Sequence, residues 1–272
     1  MLGFSKYMTE MRTLPSSASI ALILLLGSVL SACVSETTGG FEQAPDEEAL
    51  ENYLALAQGY LEQQDLQAAR RHLNNAANID PNNSDAYGLW GLIYTLEGDL
   101  GLADESFNRA IRLNRGNSRV RNNYAAFLFA NERYEEAYNH LEVVVSDTAY
   151  QGRAQAFENM GLAAQRLNRL EDAEYAFTRA LQLNSNRIRS TLELADISLQ
   201  RGDTRAAQNY YSRFQTLQQF FNIQPNARSL WVAVRLEQSR GMESRMREYG
   251  ATLAELYPDS NEYELYRQLI ND

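Results

Sequence analysis

The sequence predicts an all-α chain, a right-handed superhelix of about six stacked helix pairs closed by a C-terminal capping helix. Three observations carry this expectation. An alanine recurs at Ala69, Ala103 and Ala137, 34 residues apart, and again at Ala173 and Ala207. Twelve positions before each stands a small residue (Ala57, Gly91, Ala125, Gly161, Ala195), and four positions after it a large apolar one (Leu73, Phe107, Leu141, Phe177, Tyr211). Turn-forming clusters at Asp80-Pro81-Asn82-Asn83, Glu97-Gly98-Asp99 and Arg201-Gly202-Asp203 fall where helix pairs must break.

A period of 34 with these residue types is the tetratricopeptide signature. Small side chains at a helix crossing let two backbones approach, and large ones a turn away fill the space between them. Seven positions after the alanine, Ala76, Ala110, Val144, Ala180 and Phe214 continue the same buried stripe. The second repeat shows the pattern most fully, in Tyr87, Trp90, Gly91, Tyr94, Ala103, Phe107 and Ala110. Repeats are expected at about 50–83, 84–117, 118–151, 154–187 and 188–221, with a two-residue insertion after the third. The linker FFNIQPNAR then breaks the phase. A degenerate sixth repeat follows at about 227–260, with Met246 and Gly250 where an alanine and a large residue belong. A last helix with Leu265, Tyr266, Leu269 and Ile270 on one face is expected to cap the open end.

Ahead of the repeats, Lys6 and Arg12 precede the apolar run ASIALILLLGSVL, which ends at Leu30. The run falls short of the roughly 20 residues a membrane-spanning helix needs. With its basic flank and the small residues that follow, it reads as a secretory signal peptide over 1–32, starting at Met1, Met8 or Met11. It ends in Leu30-Ser31-Ala32-Cys33, which resembles the lipobox of bacterial lipoproteins. In those proteins the leader is removed before the cysteine, which carries acyl chains such as palmitate on its sulfur and its new amine. At about 0.8 kcal/mol per buried methylene, two or more chains make a stable membrane anchor. Cys33, the single cysteine, is therefore expected to be a lipid anchor, and the rest of the chain to fold without disulfides. Val34, where an inner-membrane lipoprotein of that kind has aspartate, implies the periplasmic face of the outer membrane. Residues 33–46, rich in Ser, Thr and Gly, read as a flexible tether reaching on the order of 45 Å. The repeat domain is expected over 47–272.

The formal net charge is −10, and the leader, with Lys6, Arg12 and Glu10, leaves the remainder one unit more negative. No basic stripe is present, which argues against nucleic acid as a partner. Lys6 is the only lysine, so a P-loop lysine or a Schiff base is excluded after the leader. His72 and His140 lie two repeats apart at equivalent positions, which suits structural roles better than one shared site. No metal-binding or catalytic motif occurs, and neither an enzyme, a cofactor nor a metal is expected. Asp46-Glu47-Glu48 read as favourable charges at a helix N-terminus.

What remains is binding. Ligand contacts in stacked helix pairs come from the concave wall, lined by the first helix of each repeat. Its outward positions are expected to be Leu54, Gln58 and Leu61 in repeat one and Gly88, Leu92 and Leu96 in repeat two. Those leucines would form either an apolar groove or packing against neighbouring helices. Repeats three and four are more polar there, with Asn122, Glu158, Gln165 and Arg166, apart from Phe129. Asn123 and Asn159 match asparagines of a carboxylate clamp whose lysines are missing.

The runs LALAQGYLEQQDLQAARRHLNNAANIDPNN, NNYAAFLFANERYEEAYNHL and ENMGLAAQRLNRLEDAEYAFTRAL, with the C-terminal SLWVAVRLEQSRGMESRMREY, resemble the PilF/PilW-type lipoproteins of type IV pilus biogenesis, the pilotins of the outer-membrane secretin. The resemblance implies a monomeric outer-membrane scaffold that binds secretin subunits and promotes their localisation and multimerisation. The candidate contacts are then Leu54, Gln58, Leu61, Leu92, Leu96 and Phe129. The alternative is a lipoprotein adaptor of the same repeat class for cell-wall hydrolases or outer-membrane barrel assembly.

Overall fold

A computed structural model describes residues 46–271. The expected leader, Cys33 and nearly all of the tether lie outside the described residues. Asp46, expected as the end of the tether, is instead the first residue of a helix. From Ala49 onward the chain forms one compact unit.

The described residues form thirteen α-helices and no strand. Six antiparallel pairs follow one another: α1 (Asp46–Glu62) with α2 (Leu66–Ile79), α3 (Ser84–Glu97) with α4 (Leu100–Leu113), α5 (Ser118–Ala130) with α6 (Tyr134–Ser146), α7 (Arg153–Arg166) with α8 (Leu170–Leu183), α9 (Ile188–Gln200) with α10 (Thr204–Phe220), and α11 (Ala227–Ser239) with α12 (Glu243–Leu256). A single helix, α13 (Asn261–Asn271), closes the end. None of these helices is long and apolar enough to cross a membrane.

The turn clusters act as caps. Asp65, Asn83, Asp99, Asn117, Asp203 and Asn226 each accept a hydrogen bond from the backbone N–H three residues on, satisfying a donor that a helix start leaves open. Within the first five repeats the chain reverses through one left-handed residue at a fixed place: Gln64, Gly98, Glu132, Asn168 and Gly202, with φ between 57° and 80°. Asp46, Glu47 and Glu48 occupy the first turn of α1, where the helix dipole favours negative charge.

The recurrent small and large residues meet as their spacing implies. Ala69, Ala103, Ala137, Ala173 and Ala207 are fully buried beside Leu73, Phe107, Leu141, Phe177 and Tyr211. A Cβ on Gly91 would lie 2.8 Å from the Phe107 ring, and one on Gly161 would lie 2.7 Å from the Phe177 ring. These glycines are required by close approach rather than by backbone angle.

The sixth pair explains its own degeneracy. A Cβ on Gly250 would run into the ring of Tyr266 on α13. The large residue missing from α12 is supplied by the capping helix, and Tyr266 packs with Leu230, Val234 and Leu253. The capping face is narrower than expected. Leu265 and Leu269 are half-buried, but Ile270, in the last turn of α13, is 50% exposed.

The two histidines sit among aromatic rings. His72 stacks on Tyr60 with ring centroids 5.3 Å apart, and His140 meets Tyr124 edge-on at 4.9 Å. Burial pushes His140 below its ordinary pKa, and the nearby Arg121 guanidinium adds to the shift. Burial pushes the Tyr124 hydroxyl, which donates to Asp104, up to about 12.

Candidate protein-binding grooves

Among the described residues, two depressions lie along the first helices of the repeats. The first, of about 380 Å³, lies across α1, α3 and α5. Leu61, Leu89, Leu92 and Val120 form its apolar lining, and Leu96 stands at its edge, 54% exposed. Its size falls within the range of about 300–1,000 Å³ usual for ligand pockets. The rim is polar and tied together. Arg119 on α5 donates to the Gln58 side-chain oxygen on α1 (2.8 Å) and pairs with Asp85 on α3 (2.8 Å). Asn117 donates to Asp85 as well (2.7 Å). One arginine thus spans three first helices above an apolar floor.

Of the six residues expected to make contacts, Gln58, Leu61, Leu92 and Leu96 come together here. Leu61 is only 8% exposed, so it belongs equally to the core formed with Ala57, Ala69, Leu73 and Ile93. Leu54 does not line the groove but packs against that same core. Phe129 sits in the second depression, edge-on to Tyr134 at 5.2 Å. Gly88, expected to face outward, is buried. A Cβ there would lie 2.6 Å from the Val120 methyl of the next repeat, so the missing side chain makes room for Val120 on the floor. Arg119 and Asp85 were not anticipated. Both occupy the second position of a first helix, 34 residues apart with opposite charge, and that repeat alignment is the signal that points to them.

The second depression is larger, about 1,050 Å³, and borders α7, α9 and α11. Its wall is ionic. Arg228 donates to Glu193 and Asp196 (2.8 Å each), Arg235 also pairs with Asp196, and Gln165 and Gln200 donate to Glu193 (3.0 Å) and Asp196 (2.8 Å). Burial alone would lower the Arg228 pKa, but the two carboxylates outweigh it and hold the guanidinium above its ordinary value. Glu158, expected as an exposed polar residue, is buried as well. It pairs with Arg187 and accepts from the Ser190 backbone N–H (3.1 Å) and hydroxyl (2.7 Å), because the start of α9 brings these donors over it. Asn159 donates to Asn122 (3.3 Å), while Asn123 lines the first groove. The two asparagines therefore do not share one clamp.

Comparison with known proteins agrees with this architecture. A tetratricopeptide-repeat family model matches residues 84–117. The chain is 34% identical over 253 residues to the type IV pilus assembly protein PilF of Pseudomonas aeruginosa, covering 91% of this chain and 97% of that protein. The chain belongs to the PilF family. The solved structure of Pseudomonas aeruginosa PilF superposes with a TM-score of 0.75, covering 82% of this chain and 98% of that one. An uncharacterized protein of Haemophilus influenzae is 25% identical over 159 residues, covering 58% of this chain and 87% of that one. PilW, described as a widely conserved type IV pilus biogenesis factor, shares the fold at 24% identity, with a TM-score of 0.66 over 79% of this chain and 97% of that one. Both grooves therefore belong to a PilF-type helical array.

Proposed function

We propose that this chain is a lipid-anchored scaffold of type IV pilus biogenesis, without enzymatic activity, held by Cys33 on the periplasmic face of the outer membrane. It captures a segment of a secretin subunit and brings it to the membrane where the ring forms. The reading rests chiefly on the Gln58–Asn123 groove, an apolar floor under a tied polar rim, in a member of the PilF family. Anchoring one partner near the bilayer raises the local concentration of the other, so subunits meet by an effectively intramolecular step. An apolar segment seated on Leu61, Leu89 and Leu92 is also shielded from aggregation on its way to the membrane.

The test uses cells lacking the gene, with inner and outer membranes separated and the secretin probed on an unheated denaturing gel. Wild type restores outer-membrane multimers, whereas Cys33→Ala and Leu96→Glu do not. Leu96 is the better position for the charge because it is exposed, whereas a charge at Leu61 would enter the core. Full multimers with Leu96→Glu would remove the groove from the reading. Unchanged multimers without the gene, with a cell-wall hydrolase copurifying, would favour the adaptor alternative.

A further inference from the structure

The joint between the fifth and sixth repeats departs from the others. α10 has 17 residues where α2, α4, α8 and α12 have 14. Its end therefore runs on by about 4.5 Å at 1.5 Å per residue. The extension carries Phe220 and Phe221 and, after the left-handed Asn222 (φ 52°), Ile223. Phe220 is 78% exposed, Phe221 44% and Ile223 45%. The two rings meet edge-to-face at 4.9 Å and belong to none of the core clusters.

Three further properties of this tip point to one kind of partner. Its backbone donors are already used: Phe221, Asn222 and Ile223 N–H donate to the carbonyls of Leu217 (3.0 Å), Gln219 (3.2 Å) and Gln218 (2.9 Å). Backbone that enters an apolar medium needs such internal pairing. The collar around the tip is polar but uncharged, formed by Gln218, Gln219, Asn222 and Gln224. No acidic residue occurs between Asp203 and Glu237 in a chain that has 35 of them.

We infer that the Phe220–Ile223 tip docks onto a lipid bilayer. The two rings and the isoleucine enter the boundary between headgroups and acyl chains, and the amide collar lies at headgroup level. A projecting apolar point with a satisfied backbone suits a fluid surface that closes around it. The uncharged collar and the acid-free stretch of chain that carries it keep the tip's own residues from repelling anionic lipid. This contact needs no acyl chain, and it would set the orientation of the array where a flexible tether alone would not.

The test places an indole at the tip, as Phe220→Trp, in the full chain mixed with phosphatidylethanolamine–phosphatidylglycerol vesicles that contain brominated acyl chains. Bromolipid is expected to quench the added emission by about twofold or more, with a blue shift, as for an aromatic side chain at the bilayer interface. Adding Phe221→Asp and Ile223→Asp should abolish both effects while leaving the urea midpoint unchanged, since all three side chains are exposed. Leu96→Trp, at the edge of the first groove, should show no quenching. Equal quenching at both positions would overturn the inference, because the protein would then lie on lipid without a preferred face. Iodide access to the Phe220→Trp indole that vesicles do not change would overturn it too. So would protection of that indole by a protein extract but not by lipid.

Discussion

The first and second halves of the array are built on the same scaffold and use their inner helices in opposite ways. In repeats one to three the inner positions hold Leu61, Leu92 and Leu96, and the charges above them, Arg119 and Asp85, remain 44% and 33% exposed. In repeats four and five the corresponding surface carries Glu158, Glu193 and Asp196, at 10%, 9% and 4% side-chain exposure, each already satisfied by an arginine at the start of the following helix pair or within it. The small-to-large packing between helices is common to both halves. What differs is whether the inner face is left unsatisfied, and so free to take a partner, or consumed in coupling one repeat to the next.

The strongest way to break this contrast is to remove Asp196. Asp196→Ala leaves Arg235 without its carboxylate and Arg228 with Glu193 alone, and should cost about 3 kcal/mol in urea unfolding, the low end for breaking a buried pair because both arginines keep some contact with water. Its counterpart in the first half, Arg119→Ala, should cost no more than about 1 kcal/mol, because its pairs are exposed. Equal losses at the two sites would erase the distinction.

A smaller effect is expected at the closing joint. Gly250→Ala drives a methyl into the Tyr266 ring and should cost about 1–3 kcal/mol by overpacking. Combined with Tyr266→Ala the loss should be clearly less than additive, as contacting residues require. Strict additivity would show that α13 is not held there.

The smallest effect is a pH dependence confined to the first half. His140 has its pKa depressed below 6.5, so as pH falls through that value the unfolded chain takes up the proton before the folded one does. Stability is full above this range and declines on acidification until the folded ring also protonates. His140→Gln should flatten the stability difference between pH 7.5 and 5.5, measured by urea midpoints at about these two values. An unchanged slope would assign the dependence to other groups.

The repeat frame was legible because it is a local, periodic demand. Alanine, glycine and large apolar residues recur wherever two backbones must approach, and no distant partner alters that. The helix starts at Ser84, Ser118 and Ile188 fall at the expected boundaries for the same reason. The left-handed turns were legible only at Gly98 and Gly202. Asn168 is of the type that, after glycine, takes this conformation most readily, whereas Gln64 and Glu132 take it with no residue type that advertises it. The candidate site was legible in part. An outward position on a helix wheel does not reveal that the next repeat covers it, so Gly88 and Glu158 read as open surface although they are buried. Leu96, near the end of its helix and beyond that cover, is exposed.

The bonds around the first groove also bear on the order in which the molecule assembles. Among the described residues, the longest side-chain hydrogen bond in sequence joins Arg119 to Gln58, 61 positions apart, and it lies on the groove rim. Every residue lining that groove falls between Gln58 and Asn123. A chain that emerges N-terminus first therefore has all the parts of its candidate capture surface before the ionic second half exists. Contacts that reach no further than two repeats along the chain let such an array grow by successive addition, without waiting for a distant segment. The surface for gripping a partner is thus among the first things this chain can complete, and the stiffening of the array comes after it.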